Sequence, residues 1–210
     1  MLSNGEIMIK RISLVLTALL GLGHVSSAYA LTSFKETALK SSSVQVPYFM
    51  QRYNKYEPGG TCGLTSAAML LNYWAEKKPE KLSKTTPDSL YLKYGKFQGQ
   101  SPINLADLYM SHNLENVYSY YGTRAEIKRA LDLGRPVIVH GWFTKNGHII
   151  VLTGYTNEGF IVNDPAGNWL RCYKCGYAKG TNGKQRIYRY GELSSSVLGK
   201  DGDIWYSYAF

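Results

Sequence analysis

Cys62 is the residue whose surroundings point most directly to chemistry. It follows Gly59-Gly60-Thr61 and precedes Gly63. From Thr61 onward the apolar residues Leu64, Ala67, Ala68, Leu71 and Ala75 recur with a helical period. Thr61 is placed to cap that helix, so Cys62 falls in its first turn. Unpaired N–H groups and the positive end of the helix dipole favour an anion there, in this case a nucleophilic thiolate. The flanking glycines offer room for a substrate backbone to approach. The plainer alternative is a small buried residue of a core helix, since free cysteines are often buried.

A nucleophilic thiol needs a base. Downstream of residue 30 the histidines are His112, His140 and His148. His112 ends a polar Ser-His-Asn stretch, where a helix C-terminus favours its positive charge. His140 lies within Val-Ile-Val-His-Gly-Trp and reads as a core histidine. His148 follows the turn Lys145-Asn146-Gly147 and opens the most apolar strand of the chain. That position aims it at a cleft edge and favours it as the base. A third group must orient the ring. The next strand ends Asn163-Asp164-Pro165, beside the start of the His148 strand if the two form a hairpin. Alternation of side chains sends Asn163 and Asp164 to opposite faces, so only one of them can serve. An oxyanion also needs donors. The Cys62 backbone N–H is one, and Gln51, eleven residues upstream, carries a side-chain amide.

The elements that must hold these groups fall into two halves. Val46–Gln51 is a short apolar stretch and residues 52–60 form a loop. The Cys62 helix follows, then shorter helices opened by Thr86-Pro87, by Ser101-Pro102 and by a Thr123/Glu126 capping box. From Pro136 the pattern changes to strands at Pro136–Phe143, His148–Tyr155 and Gly159–Asp164, with two more at Gln185–Tyr190 and Asp203–Phe210. Helices first and strands after give an α+β class, with the nucleophile on a helical half packed against a C-terminal antiparallel β-meander. One domain is expected over 46–210, preceded by a polar lead-in over 31–45.

The order Val46-Pro47-Tyr48, Gln51, Cys62-Gly63 with Ser66-Ala67-Ala68-Met69-Leu70 resembles the bacteriocin-leader-processing peptidase-like family of papain-like cysteine peptidases. So do Gly134-Arg135-Pro136-Val137-Ile138-Val139, then Gly147-His148 running into Thr153-Gly154-Tyr155, then Asn163-Asp164-Pro165. The resemblance implies a papain-like fold and a set of roles. Cys62 would be the nucleophile, His148 the base, Asp164 the group that orients it, and Gln51 a lining of the oxyanion hole. It is the resemblance, not spacing, that selects Asp164 over Asn163. The family's namesake enzymes are fused to a membrane transporter and cleave after a Gly-Gly leader. This chain carries no transporter segment, so that preference does not transfer with the roles.

Lys10-Arg11, the apolar run 12–23 and the small residues around Ala28-Tyr29-Ala30 make an expected signal peptide over 1–30. The run is shorter than the ~20 residues a spanning helix needs. An exported protein is therefore expected, periplasmic or extracellular, with no membrane insertion after signal cleavage. In an oxidising compartment the three cysteines divide into one free thiol and one local pair, Cys172 with Cys175. A redox C-x-x-C would need a preceding βαβ unit, and a zinc site would need four ligands. No metal or cofactor is expected. The formal charge of +9 is spread along the chain without a nucleic-acid signature, so no nucleic-acid partner is expected. It suits an anionic envelope or an acidic substrate. The 18 tyrosines exceed the usual share, and Tyr155, Tyr188, Tyr190, Tyr206 and Tyr208 are placed to line a peptide groove. The expected function is hydrolysis of peptide or amide bonds in a peptide or protein substrate through a Cys-His-Asp triad. The alternatives are a cell-wall peptide amidase or endopeptidase, a non-catalytic binding module, and acyl transfer.

Overall fold

The computed structural model describes residues 42–197 and 202–210. The expected signal segment and most of the polar lead-in lie outside them. Helix α1, Cys62–Lys77, opens the helical half. It is followed by α2, Pro87–Tyr94, and α3, Pro102–Met110. Each of these two begins with proline at its first position and is capped by a hydroxyl. Thr86 accepts from the Ser89 N–H, and Ser101 accepts from the Asn104 N–H. Helix α4, Arg124–Asp132, carries the expected capping box of Thr123 and Glu126.

Among the described residues, seven strands form one sheet whose recorded pairings are antiparallel. They are β1 (Ser42–Ser43), β2 (Asn116–Gly122), β3 (Val137–Gly141), β4 (His148–Tyr155), β5 (Gly159–Asn163), β6 (Arg186–Arg189) and β7 (Ile204–Ala209). Strands β3 to β6 are the expected meander. The last strand departs from it: β7 crosses back and inserts between β2 and β3. Two strands go beyond the sequence reading. Strand β2 has little β-branched content, being Asn-Val-Tyr-Ser-Tyr-Tyr-Gly. Strand β1 belongs to the expected lead-in, yet it pairs with the end of β4 through Ser42↔Tyr155 and Ser43↔Gly154. A short helix α5, Tyr190–Ser194, follows β6.

Helix α1 is buried on every side from Gly63 to Ala75, not on one face only. Its apolar residues pack with Ile138, Ile149 and Val151 on one face of the sheet. The other face is covered by α4 and by an aromatic cluster containing Phe143, Phe160, Trp169 and Tyr188. At about 1.5–3 kcal/mol per large apolar side chain, this burial on both faces is what fixes β4 as the rigid centre of the molecule. One polar contact locks α1 in place along its axis. Ser66, one turn after Cys62, donates its hydroxyl to the Ile149 carbonyl at 3.2 Å, the residue next to His148.

Candidate active site

Cys62 is the first residue of α1 and is partly exposed. The structure alters the expected cap. The Thr61 side chain makes no capping bond to the helix. Its hydroxyl donates to the Glu57 carbonyl and accepts from the Asn54 amide. The first N–H groups of α1 are thus left without a side-chain cap, which leaves them free for an incoming anion. The role expected for Gly63 also changes. A Cβ there would lie 1.9 Å from the Gly99 carbonyl oxygen, so this glycine is needed for close contact with the chain's own 3-10 turn, Lys96–Gly99. That contact brings Gln100 beside the nucleophile.

His148 starts β4 after Gly147, whose φ of +76° makes the turn that presents it. Its ring Nε2 bonds Asp164 Oδ1 at 2.8 Å, and the ring lines the same cleft as Cys62. With Nε2 on the aspartate, Nδ1 is the nitrogen that faces the thiol. The hairpin places Asn163 and Asp164 on opposite faces as alternation requires. Asn163 reaches the Val46 carbonyl and the Gln185 N–H, while Asp164 meets the histidine.

Asp164 is fully buried and its carboxylate is saturated with donors. Oδ1 accepts from His148 Nε2–H and from the Ala166 N–H at 2.9 Å. Oδ2 accepts from the hydroxyls of Tyr177 at 2.9 Å and Tyr188 at 2.8 Å. Tyr48 donates to the Asp164 carbonyl and takes the Gly183 N–H in return. Four donors thus take the place of water around this carboxylate. These tyrosines escaped the sequence reading. Tyr188 is buried behind the aspartate and does not line a groove, and Tyr155 and Tyr206 are buried too. Tyr190 and Tyr208 are partly buried and lie outside the cleft at Cys62.

Burial of the His148 ring works against its charge. The Asp164 carboxylate, by charge and hydrogen bond, and the contact with Cys62 outweigh that penalty, and the imidazolium is pushed up to about 10. His148 therefore holds its proton at neutral pH, beside the thiol. The raised value has a consequence for stability. The folded state gains from the charged ring at all pH values below the unfolded value near 6.5, and loses that gain as pH rises through about 10. The melting temperature is expected to fall between about pH 7 and pH 10 by roughly 5 °C or more, and to fall by clearly less in His148→Gln. Equal falls in differential scanning calorimetry would refute a charged His148.

Gln51 sits in a 3-10 turn, Gln51–Tyr53, tied by its N–H to the Pro165 carbonyl at 2.9 Å. Its side-chain amide donates to the Pro58 carbonyl at 3.0 Å, and its Oε1 is buried without a partner. One amide hydrogen is left for another acceptor. Gln51 is not part of the lining of the cleft at Cys62. His112 bonds the Leu108 carbonyl after the end of α3. His140 is buried, its charge suppressed by desolvation to about 3, and it lines the cleft. Cys172 and Cys175 are joined in a disulfide. Between them Lys174 donates its N–H to the Trp142 carbonyl, and Gly176 donates to that of Phe143. The staple thus braces the β3–β4 loop at the cleft wall.

The cleft holds about 260 Å³, with Cys62 and His148 at one end and Gln100, His140, Trp142 and Trp205 around it. A thiol at a helix start, a histidine and a buried carboxylate bonded to it are the parts that a thiol hydrolase site requires.

The Peptidase_C39 like family model matches residues 43–194. No curated protein matches the sequence. Among solved structures, one similar chain is a double glycine motif protease from an AMS/PCAT transporter in complex with the leader peptide. It is 20% identical with a TM-score of 0.51, over 80% of this chain and 95% of that one. Another is described as a C39-like peptidase from Bacillus anthracis, 17% identical with a TM-score of 0.50, over 80% of this chain and 97% of that one. At such identities the likeness establishes the fold, in which a helical N-terminal half packs against a C-terminal sheet. The family match spans both halves and every residue around the cleft except Trp205, and on it the chain belongs to the Peptidase_C39 like family of papain-like cysteine peptidases.

Proposed function

We propose that this protein is an exported hydrolase of peptide bonds that works through Cys62, His148 and Asp164. The observation that carries the reading is that the buried Asp164 holds the ring of His148 at 2.8 Å, and that His148 and Cys62 line one cleft. The Cys62 sulfur, having given its proton to His148 Nδ1, attacks the scissile carbonyl carbon. The oxyanion so formed meets the uncapped Cys62 N–H, and Gln51, whose turn lies outside the lining of the cleft, is the second donor only if its spare amide hydrogen turns toward Cys62. His148 delivers its Nδ1 proton to the leaving amine, and the C–N bond breaks to leave a thioester on Cys62. The neutral ring then takes a proton from water, hydroxide adds to the thioester, and the acid and the thiol are released. Asp164 stays ionised and holds Nε2–H throughout.

A peptide substrate is supported by the leader peptide bound to the double glycine motif protease. Export is supported by the basic and apolar segment over 1–30 and by the Cys172–Cys175 disulfide, which suits an oxidising compartment. Removing that segment takes away Lys10, Arg11 and Glu6, leaving +8 of the +9 formal charge on the rest of the chain. That charge fits the anionic surface of a cell envelope and keeps cell-wall peptide among the substrates.

A peptidyl acyloxymethyl ketone, which alkylates only an activated thiol, tests the reading. It is expected to label Cys62 at neutral pH, located by mass spectrometry, and to block cleavage of casein. Labelling elsewhere, or none, rejects the proposed nucleophile. Purified sacculi run beside casein separate wall peptide from general peptide substrates.

A further inference from the structure

Among the polar groups of the cleft beside Cys62 that the proposed chemistry does not use, Gln100, Asn146 and His140, the histidine is the buried one. His140 lies in β3 opposite Ile149, and Val139 pairs with Tyr206, which puts Trp205 of β7 next to it. The His140 and Trp205 rings are 6.4 Å apart. His140 is only 7% exposed, and its Nε2 is buried without a hydrogen-bond partner. An unpaired buried polar atom costs about 1–3 kcal/mol, and the ring that carries it lines an open cavity. Trp205 and Trp142, each 38% exposed, wall the same cavity. Trp205 is itself held edge-on by Tyr120 at 4.8 Å.

We propose that this cavity is a specificity pocket for a tyrosine side chain of the substrate peptide, close to the scissile bond, with the phenol hydroxyl pairing with His140. The inference rests on the peptidase reading and narrows its substrate class. The walls are indole faces and edges, which favour an aromatic ring. The floor is a ring nitrogen that is neutral at working pH, since burial keeps His140 uncharged. A hydroxyl both donates and accepts, so it satisfies that nitrogen in either tautomer. An aliphatic side chain would leave that nitrogen without a partner. An ammonium group would exchange its hydration for indole walls already bearing the Lys174 amine, 4.8 Å from the Trp142 ring. A sugar ring needs several polar partners. The Gln100 amide nitrogen is already spent on the Gly60 and Lys96 carbonyls, which leaves its oxygen, Asn146 and His140 as the polar groups of the lining. A Gly-Gly segment would leave this space empty.

Two measurements decide it, and the first needs no turnover. In Cys62→Ala protein labelled with 15N-histidine, N-acetyl-tyrosine amide is expected to shift the His140 ring resonance. The phenylalanine and lysine amides at equal concentration should shift it far less, and so should N-acetylglucosamine. No shift with the tyrosine amide overturns the pocket, and a larger shift with the sugar reassigns it to wall glycan. In the second, a peptide library cleaved by the wild-type protein is expected to show tyrosine preferred over phenylalanine by about tenfold at one position within two residues of the cut. His140→Leu should bring that ratio near one while iodoacetamide alkylates Cys62 at an unchanged rate. An unchanged ratio overturns the role of His140. A wild-type protein that binds tyrosine amide but cleaves nothing would instead reject the peptidase reading and leave the pocket standing.

Discussion

Cys62→Ala is expected to reduce peptide hydrolysis by about 10⁴-fold or more while leaving the fold intact. Without the sulfur no thioester forms, and only the oxyanion donors and substrate binding remain to assist water. The cost in stability should be small, below about 1 kcal/mol, because Cys62 is partly exposed and only one heavy atom is lost from the edge of the core. The comparison with His148→Ala is informative. That change should cost as much activity, because the proton donor and base both vanish. It also strips the buried Asp164 carboxylate of its charged partner, and truncating one side of a buried pair costs about 3–5 kcal/mol. Loss of activity in His148→Ala is therefore open to explanation by unfolding, whereas loss in Cys62→Ala is not. Circular dichroism melts beside hydrolysis assays separate the two effects. Wild-type activity in Cys62→Ala would end the covalent mechanism.

The parts of this site that could be read from the sequence are those set by local rules. Proline and hydroxyl pairs mark the starts of α2 and α3, and a capping box marks α4. Strand β4 begins at His148 because a glycine turn precedes an apolar run. The opposite facing of Asn163 and Asp164 follows from strand alternation alone. What could not be read depends on distant pairing. Tyr177 and Tyr188 reach Asp164 from 13 and 24 residues further along the chain, and neither carries a spacing signal. The contact between Gly63 and Gly99 joins two segments that share no periodicity. Strand β2 pairs with β7; its tyrosines suit a strand, but with one β-branched residue and no apolar alternation it gave no pattern to read. The same crossover sets Trp205 beside His140, so the cleft wall was invisible before the fold was known. The tyrosine excess is partly explained by the phenols that replace water around one buried carboxylate.

That carboxylate is where the second large effect is expected. Asp164→Asn keeps shape and volume. The amide oxygen can still take the His148 and Ala166 N–H groups that now meet Oδ1. The amide nitrogen then replaces Oδ2, where the Tyr177 and Tyr188 hydroxyls now donate. Both phenols must turn to accept, and their own hydrogens lose a buried partner. A stability loss of about 1–3 kcal/mol follows from that mismatch. The larger effect is electrostatic. The negative charge that overcomes the burial of His148 is gone, so the ring gives up its proton at lower pH. In the wild type, activity should decline on the alkaline side as pH rises through about 10, where His148 loses the proton it gives to the leaving amine. In Asp164→Asn that limb should move by at least about one pH unit toward neutrality, and peptide hydrolysis at its new optimum should be about 10³-fold lower. A residue that merely fills space behind the histidine would lower the rate and leave the limb where it was. The pH profile thus distinguishes an aspartate that sets the charge of His148 from one that only supports its position, and an unmoved limb would assign Asp164 the lesser role.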